Sequence, residues 1–115
     1  MKNARVFLAE DEDNVRTIVA RMLGLEGHTV ELVAVSLPKA LENVKLAKEK
    51  EINVAILDGS LSKGSKTDGS TIAAALRKEN PKITIISFSA DIVDWGDRNV
   101  YKSEIGKLPQ IIADL

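Results

Sequence analysis

The chain has 115 residues and a formal net charge of −1, with 44% hydrophobic and 29% charged residues. This length and composition predict one globular domain, residues 1–115, and the balanced charge gives no reason to expect nucleic acid or an anionic membrane as a partner. The absence of cysteine excludes disulfides and thiolate metal sites. No apolar run reaches membrane-spanning length and the N-terminus lacks the apolar region of a signal peptide, so we expect a cytoplasmic location.

Five short apolar runs predict strands, and four amphipathic stretches between and after them predict helices. The predicted strands are Val6–Ala9, His28–Val33, Val54–Asp58, Ile83–Phe88 and a short Asn99–Tyr101. The predicted helices bury the stripes Val15–Leu23 and Leu37–Ala47, run from Ser70 to Lys78, and end the chain between Glu104 and Leu115. Pro109 lies in the last of these spans and restricts regular helix to the part after it.

Strands that alternate with helices predict a parallel sheet covered on both faces, with right-handed crossovers. The common small solution is a flavodoxin-like, three-layer α/β fold with strand order 2-1-3-4-5. In that order the first and third strands are neighbours, which places Glu10, Asp11 and Asp58 in one crevice at the carboxyl edge of the sheet. Ser89 and Lys102 follow the fourth and fifth strands and reach the same edge.

The three carboxylates need a cation, because each pair of charges at ~4 Å repels by about 4 kcal/mol at an effective dielectric of 20. Lys102 supplies only one positive charge. Oxygen ligands without thiolates or clustered histidines favour Mg²⁺, which retains water ligands and suits phosphate chemistry. A carboxylate such as Asp58, beside Mg²⁺, a lysine and the Ser89 hydroxyl, is equipped to accept a phosphoryl group.

In these residues the chain resembles the receiver domain of two-component response regulators over essentially its whole length. The resemblance rests on Glu10-Asp11, Asp58, Ser89-Ala90 and Lys102, in that order and each at a strand end. It implies that Asp58 is the phosphoacceptor, Ser89 the switch hydroxyl and Lys102 the phosphate-binding lysine. It also implies that Asp11, Asp58 and the Ser60 carbonyl bind Mg²⁺ directly, with Glu10 acting through water.

The chain departs from the family pattern after the fourth strand. Only the twelve residues 90–101 separate Ser89 from Lys102, which is too few for a full crossover helix together with a strand. We therefore expect the helix between strands four and five to be truncated or absent. Asn99 stands where the family usually has its switch aromatic, and Trp95 either packs over the gap or serves as an exposed partner anchor. The Gly59–Gly69 loop is longer than usual and is either functional or mobile.

The main functional hypothesis is a single-domain receiver that accepts a phosphoryl group on Asp58 from a histidine kinase or a histidine phosphotransfer protein. Output is expected through contacts with an unknown protein target, with the receiver a monomer or weak dimer. Such a protein is not an enzyme, since it catalyses only its own phosphorylation and dephosphorylation. One alternative is a pseudo-receiver that binds a partner constitutively. Another is a Mg²⁺-dependent phosphatase, which is disfavoured because Gly59-Ser60 provides no second Asp as acid/base.

Overall fold

The computed structural model describes residues 1–115 and contains a five-stranded parallel sheet. Its elements are β1 (Arg5–Ala9), α1 (Asp13–Leu25), β2 (Thr29–Ala34), α2 (Leu37–Glu49), β3 (Val54–Asp58), α3 (Asp68–Glu79), β4 (Thr84–Ser89), β5 (Arg98–Tyr101), a 3₁₀ segment (Lys102–Lys107) and α4 (Leu108–Ala113). The strand order is β2-β1-β3-β4-β5, which confirms the predicted flavodoxin-like topology. No helix is long and apolar enough to cross a membrane.

Two apolar clusters fill the two faces of the sheet. One cluster joins the sheet to α2 and α3 through small and branched side chains such as Ala40, Val44 and Ile72. The other joins it to α1 and α4 through Val19, Leu23, Leu108 and Ile112. β3 is buried along its whole length, as its continuous apolar sequence predicts for a central strand.

Several element boundaries differ from the predicted ones by one or two residues. β2 runs one residue later than predicted because His28 is not part of the ladder. Instead, the buried His28 ring accepts a hydrogen bond at Nδ1 from the Ala4 N–H, 2.9 Å away. α3 begins at Asp68 rather than at Ser70. Pro109 lies in the first turn of α4, where its missing N–H costs no helical hydrogen bond.

No helix lies between β4 and β5, which confirms the expected truncation. Residues 91–97, here called the strap, have no regular secondary structure and run from the carboxyl end of β4 back to the level of Ile86, where β5 begins. At the end of the strap, the Asp97 carboxylate accepts a 2.7 Å hydrogen bond from the Ile85 N–H, and the Asp97 N–H donates to the Ile85 carbonyl at 2.7 Å. A Cβ on Gly96 would lie only 2.9 Å from the Ser87 Cβ, so the strap backbone packs directly on β4. The strap thus occupies part of the space that a crossover helix would fill.

Candidate functional site

Asp58 lies at the carboxyl end of β3 and both oxygens of its buried side chain accept hydrogen bonds. Oδ1 accepts from the Ser60 N–H at 3.1 Å, within the turn that follows the strand. Oδ2 accepts from the Lys102 ammonium at 2.8 Å. The site therefore holds Asp58 in one orientation from two sides, by a backbone amide and by a cation.

The acidic residues that follow β1 lie beside Asp58, because β1 and β3 are adjacent parallel strands. Carboxylate oxygens of Glu10, Asp11 and Asp58 all lie within 4.8 Å of one another. Glu10 is fully buried, whereas Asp11 is exposed. The Arg16 guanidinium on the first turns of α1 donates a 2.9 Å hydrogen bond to the Glu10 carbonyl, which ties the acidic loop to the helix.

Lys102 reaches this cluster from the residue after β5 and approaches two carboxylates. Its Nζ atom lies 2.8 Å from Asp58 Oδ2 and 3.1 Å from Glu10 Oε1. Burial alone would lower the pKa of Lys102, but the hydrogen bond and charge of Asp58, together with Glu10, outweigh burial and raise it. The lysine is therefore a permanent cation of the site.

The surroundings of Glu10 disfavour the charged form of its carboxyl group. Burial, a hydrogen bond with Asp11 and the charge of Asp58 raise the pKa of Glu10 to about 7, against the partial compensation of Lys102 and the Glu12 N–H. Its buried Oε1 atom lies 3.1 Å from the Lys102 ammonium but is not aligned to accept a hydrogen bond from it. A buried oxygen without a hydrogen bond, in a cluster of three carboxylates, is the donor set of a hard divalent cation. These residues therefore fit a metal ion.

Ser60 and Ser89 lie at the same edge of the sheet, where they line a cavity of about 400 Å³. The other lining residues are Gly59, Ser65, Lys66, Asp91, Ile92 and Val93. The Ser89 hydroxyl accepts a 3.2 Å hydrogen bond from the Asp91 N–H at the start of the strap. The structure thus brings all five predicted side chains and the Ser60 backbone to one edge, but the Ser89 hydroxyl bonds the strap rather than Asp58.

The sequence reasoning missed Asp68, which organises the long loop between β3 and α3. The buried Asp68 carboxylate accepts hydrogen bonds from the Leu61 N–H at 2.8 Å and from the Ser62 N–H and hydroxyl, each at 3.1 Å. These bonds draw the start of the loop against the N-terminus of α3. An Asp just before a helical stripe, next to Gly69, was the available signal, because such residues favour turns and helix starts.

The chain is similar to known response regulators. The family model described as the response regulator receiver domain matches residues 6–99. A putative NtrX-like response regulator of Rickettsia bellii is 32% identical over 84 residues, which are 73% of this chain and 16% of that protein. Its counterpart in Rickettsia typhi is 30% identical over 89 residues, 77% of this chain and 18% of that protein. The chain therefore spans less than a fifth of the length of either relative.

Solved structures with low sequence identity share the fold. CheY in the CheX–CheY–BeF3–Mg complex from Borrelia burgdorferi superposes with a TM-score of 0.81 at 17% identity, over 96% of this chain and 87% of that one. The RcsB response regulator of Salmonella typhimurium superposes with a TM-score of 0.77 at 21% identity, over 98% of this chain and 59% of that one. With the strand order, the residues at the strand ends and the match over residues 6–99, the chain belongs to the response regulator receiver domain family.

Proposed function

We propose that this receiver domain accepts a phosphoryl group on Asp58 from a phosphohistidine donor, with Mg²⁺ bound by the acidic cluster. The observation that carries the proposal is the contact of Lys102 with Asp58 at 2.8 Å beside the carboxylates of Glu10 and Asp11. This arrangement gives one nucleophilic carboxylate, one fixed cation and one set of metal ligands at a single sheet edge. The donor would be a histidine kinase or a histidine phosphotransfer protein.

In the proposed reaction an Asp58 carboxylate oxygen attacks phosphorus in line with the P–N bond of the donor. The P–N bond breaks, its electron pair stays on the imidazole nitrogen, and that nitrogen then takes a proton. The Lys102 ammonium neutralises charge on the phosphoryl oxygens and stays protonated because the site raises its pKa. The Ser89 hydroxyl leaves the Asp91 N–H and donates a hydrogen bond to a phosphoryl oxygen.

Asp11, Asp58 and the Ser60 carbonyl would hold the metal ion directly, and Glu10 would act through water. When bound, Mg²⁺ supplies charge neutralisation for the phosphoryl oxygens. The Glu10 oxygen that accepts no hydrogen bond supports this assignment, because a hydrated cation would satisfy it. The protein modifies only itself in this scheme, so we propose a signalling role with output through protein contacts rather than turnover of an external substrate.

The test is incubation with acetyl phosphate and Mg²⁺, followed by intact-protein mass spectrometry. The wild type should gain one phosphoryl mass, and Asp58→Ala should gain none. Glu12→Gln, which changes an exposed acid of the same loop outside the proposed ligand set, is the matched control and should behave as wild type. A wild type that gains no phosphoryl group and binds no beryllofluoride would contradict the proposal. It would then favour a pseudo-receiver that binds its partner constitutively.

A further inference from the structure

The Trp95 indole lies directly on Gly69 and close to Gly59, the residue that follows the phosphoacceptor. Trp95 is half-buried and packs against the apolar cluster on the α2–α3 face of the sheet. A Cβ atom on Gly69 would lie 2.5 Å from Trp95 Cζ2 and 2.6 Å from Cη2. These separations are too short for any side chain, so the edge of the indole rests on the bare backbone of Gly69.

Gly69 lies in the first turn of α3 and is hydrogen-bonded to the turn that carries Asp58 and Ser60. The Gly69 N–H donates a 3.2 Å hydrogen bond to the Gly59 carbonyl, which closes the loop between β3 and α3. A Cβ on Gly69 would also lie 2.8 Å from the Asp58 carbonyl oxygen. The indole therefore packs on Gly69, whose backbone contacts the segment that carries both the phosphoacceptor and the proposed carbonyl ligand of the metal.

The indole and the Ser89 hydroxyl both lie close to Gly59. A Cβ on Gly59 would lie 3.2 Å from Ser89 Oγ and 3.8 Å from Trp95 Cζ2. No aromatic side chain occupies position 99 of β5, where Asn99 instead accepts a hydrogen bond from the Ser87 hydroxyl. Trp95 is thus an aromatic residue outside the sheet that lies close to Gly59, between Asp58 and Ser60, and to the hydroxyl of Ser89.

The strap holds Trp95 at this position by bonds at both of its ends. Its start is fixed by the hydrogen bond from the Asp91 N–H to Ser89 Oγ, and its end by the pair of hydrogen bonds between Asp97 and Ile85. Only a few residues lie between these two anchors. A movement of Ser89 toward a phosphoryl group would therefore shift the start of the strap and, with it, the position of Trp95. The indole is consequently coupled to the site through the turn beneath it and through the strap.

We propose that Trp95 is a positioning residue for phosphoryl transfer: its indole holds the Asp58–Ser60 turn in the geometry that binds the metal and the phosphoryl group. Coupling between two parts of a protein is reciprocal, so occupation of the site by a phosphoryl group in turn changes the packing of the indole. The proposal rests on the proposed phosphoacceptor function and adds to it the residue that links the site to the protein surface.

The decisive experiment measures beryllofluoride binding by isothermal titration calorimetry in saturating Mg²⁺ for wild type, Trp95→Phe and Trp95→Ala. We expect Trp95→Ala to weaken binding about tenfold, within the usual range of coupling between sites, and Trp95→Phe to retain most of the affinity. Leu37→Ala is the matched control, because Leu37 is also half-buried against the same cluster, from the first residue of α2. It should reduce the urea midpoint without changing the affinity.

Trp95 is the only tryptophan, so it also reports directly on the wild-type protein. Beryllofluoride with Mg²⁺ should change its accessibility to acrylamide quenching, whereas Mg²⁺ alone should cause a smaller change. Should Trp95→Ala fail to fold, Trp95→Leu keeps an apolar contact with the cluster, lacks the indole edge and should show the same loss of affinity.

The assignment of Trp95 would be overturned if Trp95→Ala or Trp95→Leu bound beryllofluoride as tightly as the wild type. An equal loss of affinity in Leu37→Ala would overturn it as well. In those outcomes the wild type still binds beryllofluoride, so the proposed function stands. A wild type that neither binds beryllofluoride nor gains a phosphoryl group would instead contradict the proposed function itself.

Discussion

Lys102 Nζ lies 2.8 Å from Asp58 Oδ2, which joins the ends of β5 and β3 across the intervening strand β4. The same ammonium approaches Glu10 from the end of β1 at 3.1 Å. The lysine is 27% exposed, whereas the Glu10 side chain is fully buried and that of Asp58 only 5% exposed. One partly exposed cation therefore compensates two buried carboxyl groups, and the balance of charge at this edge depends on it.

Lys102→Met should destabilise the metal-free protein by about 1.5–3 kcal/mol, the usual range for hydrogen bonds between charged groups. The variant keeps the apolar stem and removes the charge, which leaves Asp58 and Glu10 to repel each other. Urea unfolding without and with Mg²⁺ measures the effect. The loss should shrink when Mg²⁺ is present, since a metal ion would replace the missing charge, and an equal loss in both conditions would contradict this account.

Glu10→Gln, unlike Lys102→Met, should stabilise the metal-free protein, and it should weaken Mg²⁺ binding. At about pH 8, above the pKa of about 7 that the site gives Glu10, the substitution removes a buried charge and should stabilise the metal-free protein by on the order of 1–2 kcal/mol. Mg²⁺ affinity should fall at the same time. Thermal unfolding and calorimetric Mg²⁺ titration test the two effects, with Glu12→Gln as the exposed control. A destabilised Glu10→Gln protein would show that the charge is already compensated.

Asp68→Asn should lower stability at neutral pH by about 1–3 kcal/mol, because the charged acceptor of three hydrogen bonds is lost. Burial alone would raise the pKa of Asp68, but the hydrogen bonds from Leu61 and Ser62 outweigh it and lower the pKa from its ordinary value. A carboxyl group with a lowered folded pKa contributes stability above its unfolded pKa and loses that contribution as the pH falls through the folded value.

The difference in urea midpoint between wild type and Asp68→Asn should therefore be large near neutral pH and small well below pH 3.8. Ser62→Ala removes only one of the three donated hydrogen bonds and should show a smaller difference with the same dependence on pH. If the difference between wild type and Asp68→Asn does not depend on pH, the Asp68 charge does not stabilise the loop.

Asp97→Ala should destabilise the protein by about 1–3 kcal/mol, because the Ile85 N–H loses its acceptor. It should also speed amide hydrogen exchange in the strap, whose end Asp97 fixes to β4. Asp97→Asn keeps an oxygen acceptor and should restore part of both properties. Arg77→Ala removes only the 3.3 Å ion pair at the surface and should cost less than about 1 kcal/mol, which separates the two contacts of Asp97.

The parallel sheet, its strand order and the residues at its carboxyl edge could be predicted from the amino-acid sequence. The apolar runs of β1, β3 and β4 end abruptly at polar residues, and alternation with helices leaves few topologies. The sequence pattern therefore predicted that four side chains lie close together at this edge: Glu10, Asp11, Asp58 and Lys102. The missing crossover helix was predictable as well, because the twelve residues 90–101 cannot hold it.

The contacts that hold the two irregular segments, in contrast, are visible only in the three-dimensional structure. Asp68 fastens the long loop through Leu61 and Ser62, while Asp97 fastens the strap to Ile85 and brings Trp95 onto the Asp58 turn. Strands and helices are regular structures, so the apolar residues of their buried faces recur at regular intervals in the sequence. A loop has no period, and its hydrogen-bond partners are set by the three-dimensional path of the backbone. The sequence therefore located the site, whereas only the fold could show that Trp95 lies against it.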